Sequence, residues 1–176
     1  MKLLQALSVL LVAGLLGLLV WKVAHQVGTD TVASQVSKGK QPTAPAFTLK
    51  RLDGGGELAS ASLAGKAQVL NFWASWCLPC RAEAKLFVDA ASRYSGRVAI
   101  VGIDHQDFAG DARAFERKYG LTYPSVVDTG DTLYTKYGLT GVPETFCTNA
   151  AGRVVAHVPG AVTRDSLEQC IQDALS

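Results

Sequence analysis

From Leu3 to Trp21 the chain is apolar on every side: nineteen residues without a charge, interrupted only by Gln5, Ser8, Gly14 and Gly17. At 1.5 Å per residue a helix of this length reaches roughly 28 Å, close to the hydrocarbon thickness of a bilayer. Lys2 precedes the run, and Trp21, Lys22 and His25 follow it at the depth where interfacial anchors sit. A cleaved signal peptide would need a shorter apolar core and a small-x-small site just beyond it, and that pattern is missing. The sequence therefore predicts a transmembrane signal-anchor over residues 1–24. The periodicity then stops, and residues 25–43 read as a flexible tether of Thr, Ser, Gln, Gly and Lys. The folded domain is expected over residues 44–176.

Within that domain the pattern alternates between buried strands and amphipathic helices. Phe47–Leu52 alternates as a strand, and Asp53-Gly54-Gly55-Gly56 turns it into Glu57-Leu58-Ala59, a leading hairpin. Gln68–Ala74 and Val98–Ile103 are near-continuous apolar runs, as expected for strands covered on both faces. A helix follows the first, with Ala84, Phe87, Val88, Ala91 and Tyr94 at helical spacing, and a second helix spans about 111–119. Ser125–Asp128 gives a third strand and Thr132–Tyr137 a short helix ended by Gly138. Thr145–Thr148 and Val154–Val158 then form a hairpin, and a last helix runs over Arg164–Leu175 behind Thr163 as N-cap. Alternating β and α units predict parallel strands, and the closing hairpin adds antiparallel ones, giving an α/β fold with a mixed sheet between helices.

Composition narrows the function classes. The chain is 48% hydrophobic and 18% charged, which excludes a disordered or collagen-like polymer. Lys2, Lys22, Lys38 and Lys40 against Asp30 place +3 on residues 1–45, leaving 13 basic and 14 acidic side chains beyond. A body so balanced offers no basic stripe for nucleic acid.

The four cysteines carry the chemistry. Cys77 and Cys80 lie three apart where a strand turns into a helix, so both sulfurs share one turn and Cys77 lies near unsatisfied backbone N–H groups. A helix-start CxxC lowers a cysteine pKa to roughly 3.5–7.5, making the first sulfur nucleophilic. Cys77 should attack and Cys80 should resolve. Pro79 fits the first turn, where its missing N–H costs nothing. A zinc site needs a second CxxC or a close histidine pair; neither occurs, so no metal and no cofactor is expected. A purely structural role is also poor, because so short a loop removes little entropy from the unfolded chain. Cys147 on a strand and Cys170 on the packed face of the last helix could either bridge or remain two buried thiols, and sequence leaves both readings open. His25, His105 and His157 are solitary and read as non-catalytic, while Tyr119, Tyr134 and Tyr137 read as packing residues.

Val69–Glu83, reading VLNFWASWCLPCRAE, resembles the active-site strand and helix of the TlpA, ResA and CcmG group of membrane-tethered thioredoxin-like proteins. Ala44–Leu49 with Leu63-Ala64-Gly65-Lys66 is similar to that group's leading hairpin, Gly141–Phe146 to its cis-proline loop, and Ala151–Val154 to its closing hairpin. The resemblance covers about residues 44–175 and implies a thioredoxin-like fold with a central βα insertion. It further implies that Pro143 is a cis-proline opposite the disulfide, leaving the Val142 backbone to pair with an extended substrate segment, and that Trp76 belongs to an aromatic rim. Position 71, where ordinary thioredoxins place a buried aspartate, holds Asn71, which cannot take a proton from Cys80. The resemblance assigns that work to Glu83 and Glu144.

The same resemblance implies a function: an extracytoplasmic, membrane-anchored thiol:disulfide oxidoreductase reducing the CxxCH disulfide of apocytochrome c before haem attachment. Its partners would be that protein substrate and, as electron donor, a membrane thiol transporter of the CcdA or DsbD kind. The bacterial cytoplasmic membrane is the expected location, with the domain on the periplasmic side. A general reductase or oxidase of secreted proteins is one alternative. A thioredoxin-fold copper chaperone is another, although that role is associated with a CxxxC pair.

Overall fold

A computed structural model of the chain describes residues 2–26 and 31–176. They divide into two compact units, Met1–Asp30 and Thr31–Ser176. The first holds helix α1, Lys2–Gln26, which contains the whole apolar run. Its described side chains are unbroken from Leu10 to Lys22 and exposed there. Among the described residues no helix is long and apolar enough to cross a membrane.

The second unit is built on a five-stranded mixed sheet in the order β5-β4-β3-β6-β7. Strands β3 (Ala67–Trp73), β4 (Val98–Asp104) and β5 (Ser125–Val127) run parallel. Parallel neighbours need crossover connections, here supplied by α3 (Leu78–Arg93) and α4 (Ala109–Tyr119). Strands β6 (Glu144–Thr148) and β7 (Val154–Pro159) add antiparallel on the other side of β3, after α5 (Thr132–Tyr137). Helix α6, Arg164–Leu175, closes the chain with a capping box of Thr163 and Ser166. The leading hairpin pairs β1 (Thr48–Lys50) with β2 (Glu57–Ala59).

Every residue of β3 is buried, which is why it reads as apolar on both faces. Alternation along it sorts the core. Val69 packs with Phe87, Ile100, Leu167 and Ile171 under α3 and α6. Leu70 and Phe72 pack on the opposite face with Val101, Tyr137 and Phe146, where the Phe72 ring lies 5.4 Å from Tyr137 and 5.9 Å from Phe146.

The expected tether is corrected over part of its length. Thr31–Thr43, assigned to a linker over residues 25–43, folds with the domain: α2 (Val32–Ser37) starts on a Thr31 cap and buries Val32 in the cluster with Leu133 and Tyr137. Six residues, half of them polar, carry no helical signal of their own, because so short a helix depends on tertiary packing. Thr31 also lies against Gly138, whose φ of +75° closes α5.

Candidate redox site

The strand–helix corner between β3 and α3 carries the reactive pair. Cys77 is the N-cap residue of α3, with extended backbone, and its sulfur accepts a hydrogen bond from the Cys80 N–H at 3.1 Å. That donor belongs to the helix N-terminus and would favour a thiolate on Cys77 once the pair is reduced. Here Cys77 and Cys80 are disulfide-bonded with Cα atoms 5.3 Å apart, and both are buried. Pro79 occupies the first helical turn.

Opposite the disulfide, the Val142–Pro143 peptide bond is cis, as the resemblance implied. The Cys77 sulfur stands 3.5 Å from the Val142 carbonyl oxygen. A backbone acceptor therefore stands beside the Cys77 sulfur. Trp76 is half exposed, its indole N–H donating to the Gln106 carbonyl at 3.1 Å, and Leu78 and Phe108 are exposed with it. Among the described residues of the domain, these three are the exposed large apolar side chains.

The two glutamates have different environments. Glu83, in the second turn of α3, is 2% exposed; its Oε1 accepts from Asn71 Nδ2 at 2.9 Å and its Oε2 from the Val162 N–H at 2.8 Å. Burial outweighs those two donors and pushes its carboxyl up to about 7. Glu144, at the start of β6, uses Oε1 to accept from Thr140 N–H, Thr140 Oγ1 and Gly141 N–H, while Oε2 lies 2.6 Å from His157 Nε2. These bonds tie the loop that carries Val142 to the sheet, so the geometry gives Glu144 a positioning role.

Two contributors were not apparent from the sequence. His157, read as solitary, meets Glu144 and stacks on Phe146 with centroids 4.2 Å apart. Its signal was the period-two alternation of β7, which faces it across to Phe146 in register. Asp107, in the loop after β4, accepts from Ser75 N–H and Oγ, two residues before Cys77. Its signal was position, since the ends of parallel strands gather functional groups.

The structure bridges Cys147 and Cys170, resolving the open pairing, with Cα atoms 5.7 Å apart. Both lie in the core with Val69, Phe87 and Ile171.

A parallel-stranded core, a CxxC disulfide at a helix N-terminus and a cis-proline opposite define a thiol:disulfide oxidoreductase. The model of the AhpC/TSA family matches residues 41–157, and the chain belongs to that thioredoxin-like family. The thiol:disulfide interchange protein HelX of Rhodobacter capsulatus is 32% identical over 99% of this chain and 97% of its own. The thiol-disulfide oxidoreductase ResA of Bacillus subtilis is 28% identical over 88% of this chain and 86% of its own. Among solved structures, a thiol:disulfide interchange protein of the thioredoxin family from Chlorobium tepidum superposes with a TM-score of 0.71 at 29% identity, covering 78% of this chain and 98% of its own. A secreted Mycobacterium tuberculosis disulfide oxidoreductase homologous to E. coli DsbE gives 0.66 at 29% identity, covering 72% and 94%.

Proposed function

We propose that this oxidoreductase works as a reductant outside the cytoplasm, held to the cytoplasmic membrane by its N-terminal helix, and that its substrate is the CxxCH disulfide of apocytochrome c before haem attachment. The observation that carries the reductant reading is Glu83. A buried acid with a carboxyl near neutrality, on the same helix as Cys80 and one turn beyond it, is suited to take the proton that Cys80 gives up when it resolves a mixed disulfide.

The reaction proceeds in two exchanges. Reduced Cys77, as thiolate, attacks one sulfur of the substrate disulfide, and the other substrate sulfur leaves as a thiolate. Cys80 then loses its proton to Glu83 and attacks the Cys77 sulfur, which releases the second substrate thiol and closes Cys77–Cys80. The Val142 backbone pairs with the substrate segment during both steps, held in place through Glu144. A membrane thiol transporter of the CcdA or DsbD kind returns the two electrons. Two disulfides in one domain, and the apolar run before it, favour an oxidising compartment next to a membrane.

The equilibrium potential of Cys77–Cys80 against a glutathione or dithiothreitol series tests the direction of electron flow. A value near about −120 mV, the strongly oxidising end of the family of thiol exchangers, would sink the reductant reading. Reduction of an oxidised CxxCH peptide faster than of a peptide with the same cysteines in a scrambled surround tests the substrate.

A further inference from the structure

Beneath the redox corner lies a second buried acid that the reaction above does not use. Asp104, the last residue of β4 and the register partner of Trp73, is fully buried, and neither carboxyl oxygen has a hydrogen-bond donor among the described residues. Asp107, three residues further on, is the charged group that acts on it most strongly. Asp107 is already engaged: Oδ2 accepts from Ser75 N–H at 2.5 Å, and Oδ1 accepts from Ser75 Oγ at 2.9 Å and Phe108 N–H at 2.8 Å. Asp104 is the acid buried with neither oxygen bonded, so the proton belongs there. Burial first, then the charges of Asp107 and of Glu116 on α4, raise Asp104 to about 7. From the hairpin, Arg51 and Asp53 act on Glu116, and from α3 the Arg81 guanidinium is spent on the Ser75 carbonyl.

The loop that presents Asp107 is fixed at several points. Gln106 sits at φ +47°, in the left-handed region that a side chain adopts only when its surroundings hold it there. Its Nε2 donates to Asp131 Oδ2 at 2.8 Å, its carbonyl accepts from Trp76, and His105 stacks on Tyr134 with Nδ1 3.2 Å from Asp131 Oδ1. A loop so held is a rigid support for the corner it touches.

We infer that Asp107 is a positioning residue of the redox reaction, holding the Ser75-Trp76-Cys77 corner in its attacking geometry, and that Asp104 holds the proton on which those bonds depend. When Asp104 ionises, an unpaired charge is buried beneath the loop, and relieving it shifts the loop at the expense of the Ser75 bonds. Cys77 then loses its tether two residues away. The inference rests on the oxidoreductase activity and is independent of which protein disulfide is the substrate.

The test is the rate at which the full-length reduced protein reduces 5,5′-dithiobis(2-nitrobenzoate) and an oxidised CxxCH peptide from pH 5.5 to 8.5, divided by the thiolate fraction measured at 240 nm. In the wild type the rate per thiolate falls severalfold as pH passes about 7. Asp104→Asn, which cannot ionise, removes that fall. Asp107→Asn lowers kcat roughly tenfold at pH 6 with KM within about twofold, as expected for a misplaced nucleophile. Ser75→Ala, which removes one bond and is the milder change, loses kcat in the same direction. Coincident wild-type and Asp104→Asn profiles overturn the role of Asp104, and unchanged kcat in Ser75→Ala and Asp107→Asn overturns that of Asp107. Failure of the peptide reaction alone, with the small disulfide behaving as described, counts against the substrate and leaves the inference supported.

Discussion

Asn71 on β3 donates its amide to Glu83 on α3 at 2.9 Å, so the strand and the helix behind Cys80 meet in a buried polar pair. The amide also reaches Thr145 Oγ1 at 3.2 Å, fixing its orientation and leaving Glu83 as the group of the pair able to carry a proton. The acid of this buried pair is on the helix and the amide on the strand.

Glu83→Gln tests this through stability as well as rate. The folded carboxyl titrates near 7, above its ordinary 4.5, so the folded state keeps a proton that the unfolded chain releases. Stability is therefore full below about pH 4.5, falls as pH rises towards 7 and is level above it. The loss is about 3 kcal/mol at 1.4 kcal/mol per unit. Asp104 acts with the same sign. Urea denaturation of oxidised protein between pH 4 and 8 should show a shallower decline for Glu83→Gln, and its exchange should slow at the resolving step. An unchanged slope would remove Glu83 as a titrating group.

The Cys147–Cys170 bridge closes a loop across 23 positions of sequence. Replacing both cysteines with alanine should cost about 3 kcal/mol from the released unfolded-state entropy. Disulfide exchange at Cys77–Cys80 should persist at temperatures where the variant remains folded. Loss of exchange in the folded variant would show that the second bridge takes part in the chemistry.

Gly102 on β4 allows the sheet to approach Trp73 and Ser125. A Cβ there would come within 2.6 Å of Trp73 Nε1 and 2.7 Å of Ser125 Oγ. Gly102→Ala should destabilise the domain by about 1–3 kcal/mol, since a packed indole next to the redox corner must shift. Thermal melting and the Trp fluorescence of the variant would register that movement; a wild-type melt would contradict it.

The boundary at Thr31 can be cut. A chain beginning at Thr31 should fold and exchange disulfides in solution, because residues 31–176 form a compact unit. One beginning at Ala44 loses buried Val32 and the Pro42 carbonyl that accepts from Val154, and should be less stable by about 2 kcal/mol or more. Equal stability of the two would show α2 to be dispensable. The full chain should resist carbonate extraction from membranes if the N-terminal helix is an anchor.

What could be read in advance follows from the range of the interactions. The reactive pair, its helix and the helix stop at Gly138 are local, and each lies where its spacing or turn chemistry indicated. Strand β4 was legible as an apolar run, but its last residue, Asp104, broke that run and was left outside the strand. Its meaning depends on lying beside Trp73 and under Asp107, which requires sheet register. Helix α2 was missed for the same reason, since Val32 finds its apolar partners about a hundred residues further on. The glutamates could be nominated, yet their separate roles came from counting donors: two for Glu83, and a full set around Glu144.

Both margins of the five-stranded sheet are partly occupied by the chain itself. The hairpin places Arg51 antiparallel to Val126 and the Leu52 N–H on the Ser125 carbonyl at β5, while Thr43 bridges Arg153 and Val154 donates to Pro42 at β7. An unpaired margin is a template on which identical chains can polymerise. These short caps at both margins therefore guard the sheet against adding the strands of a second copy of the chain.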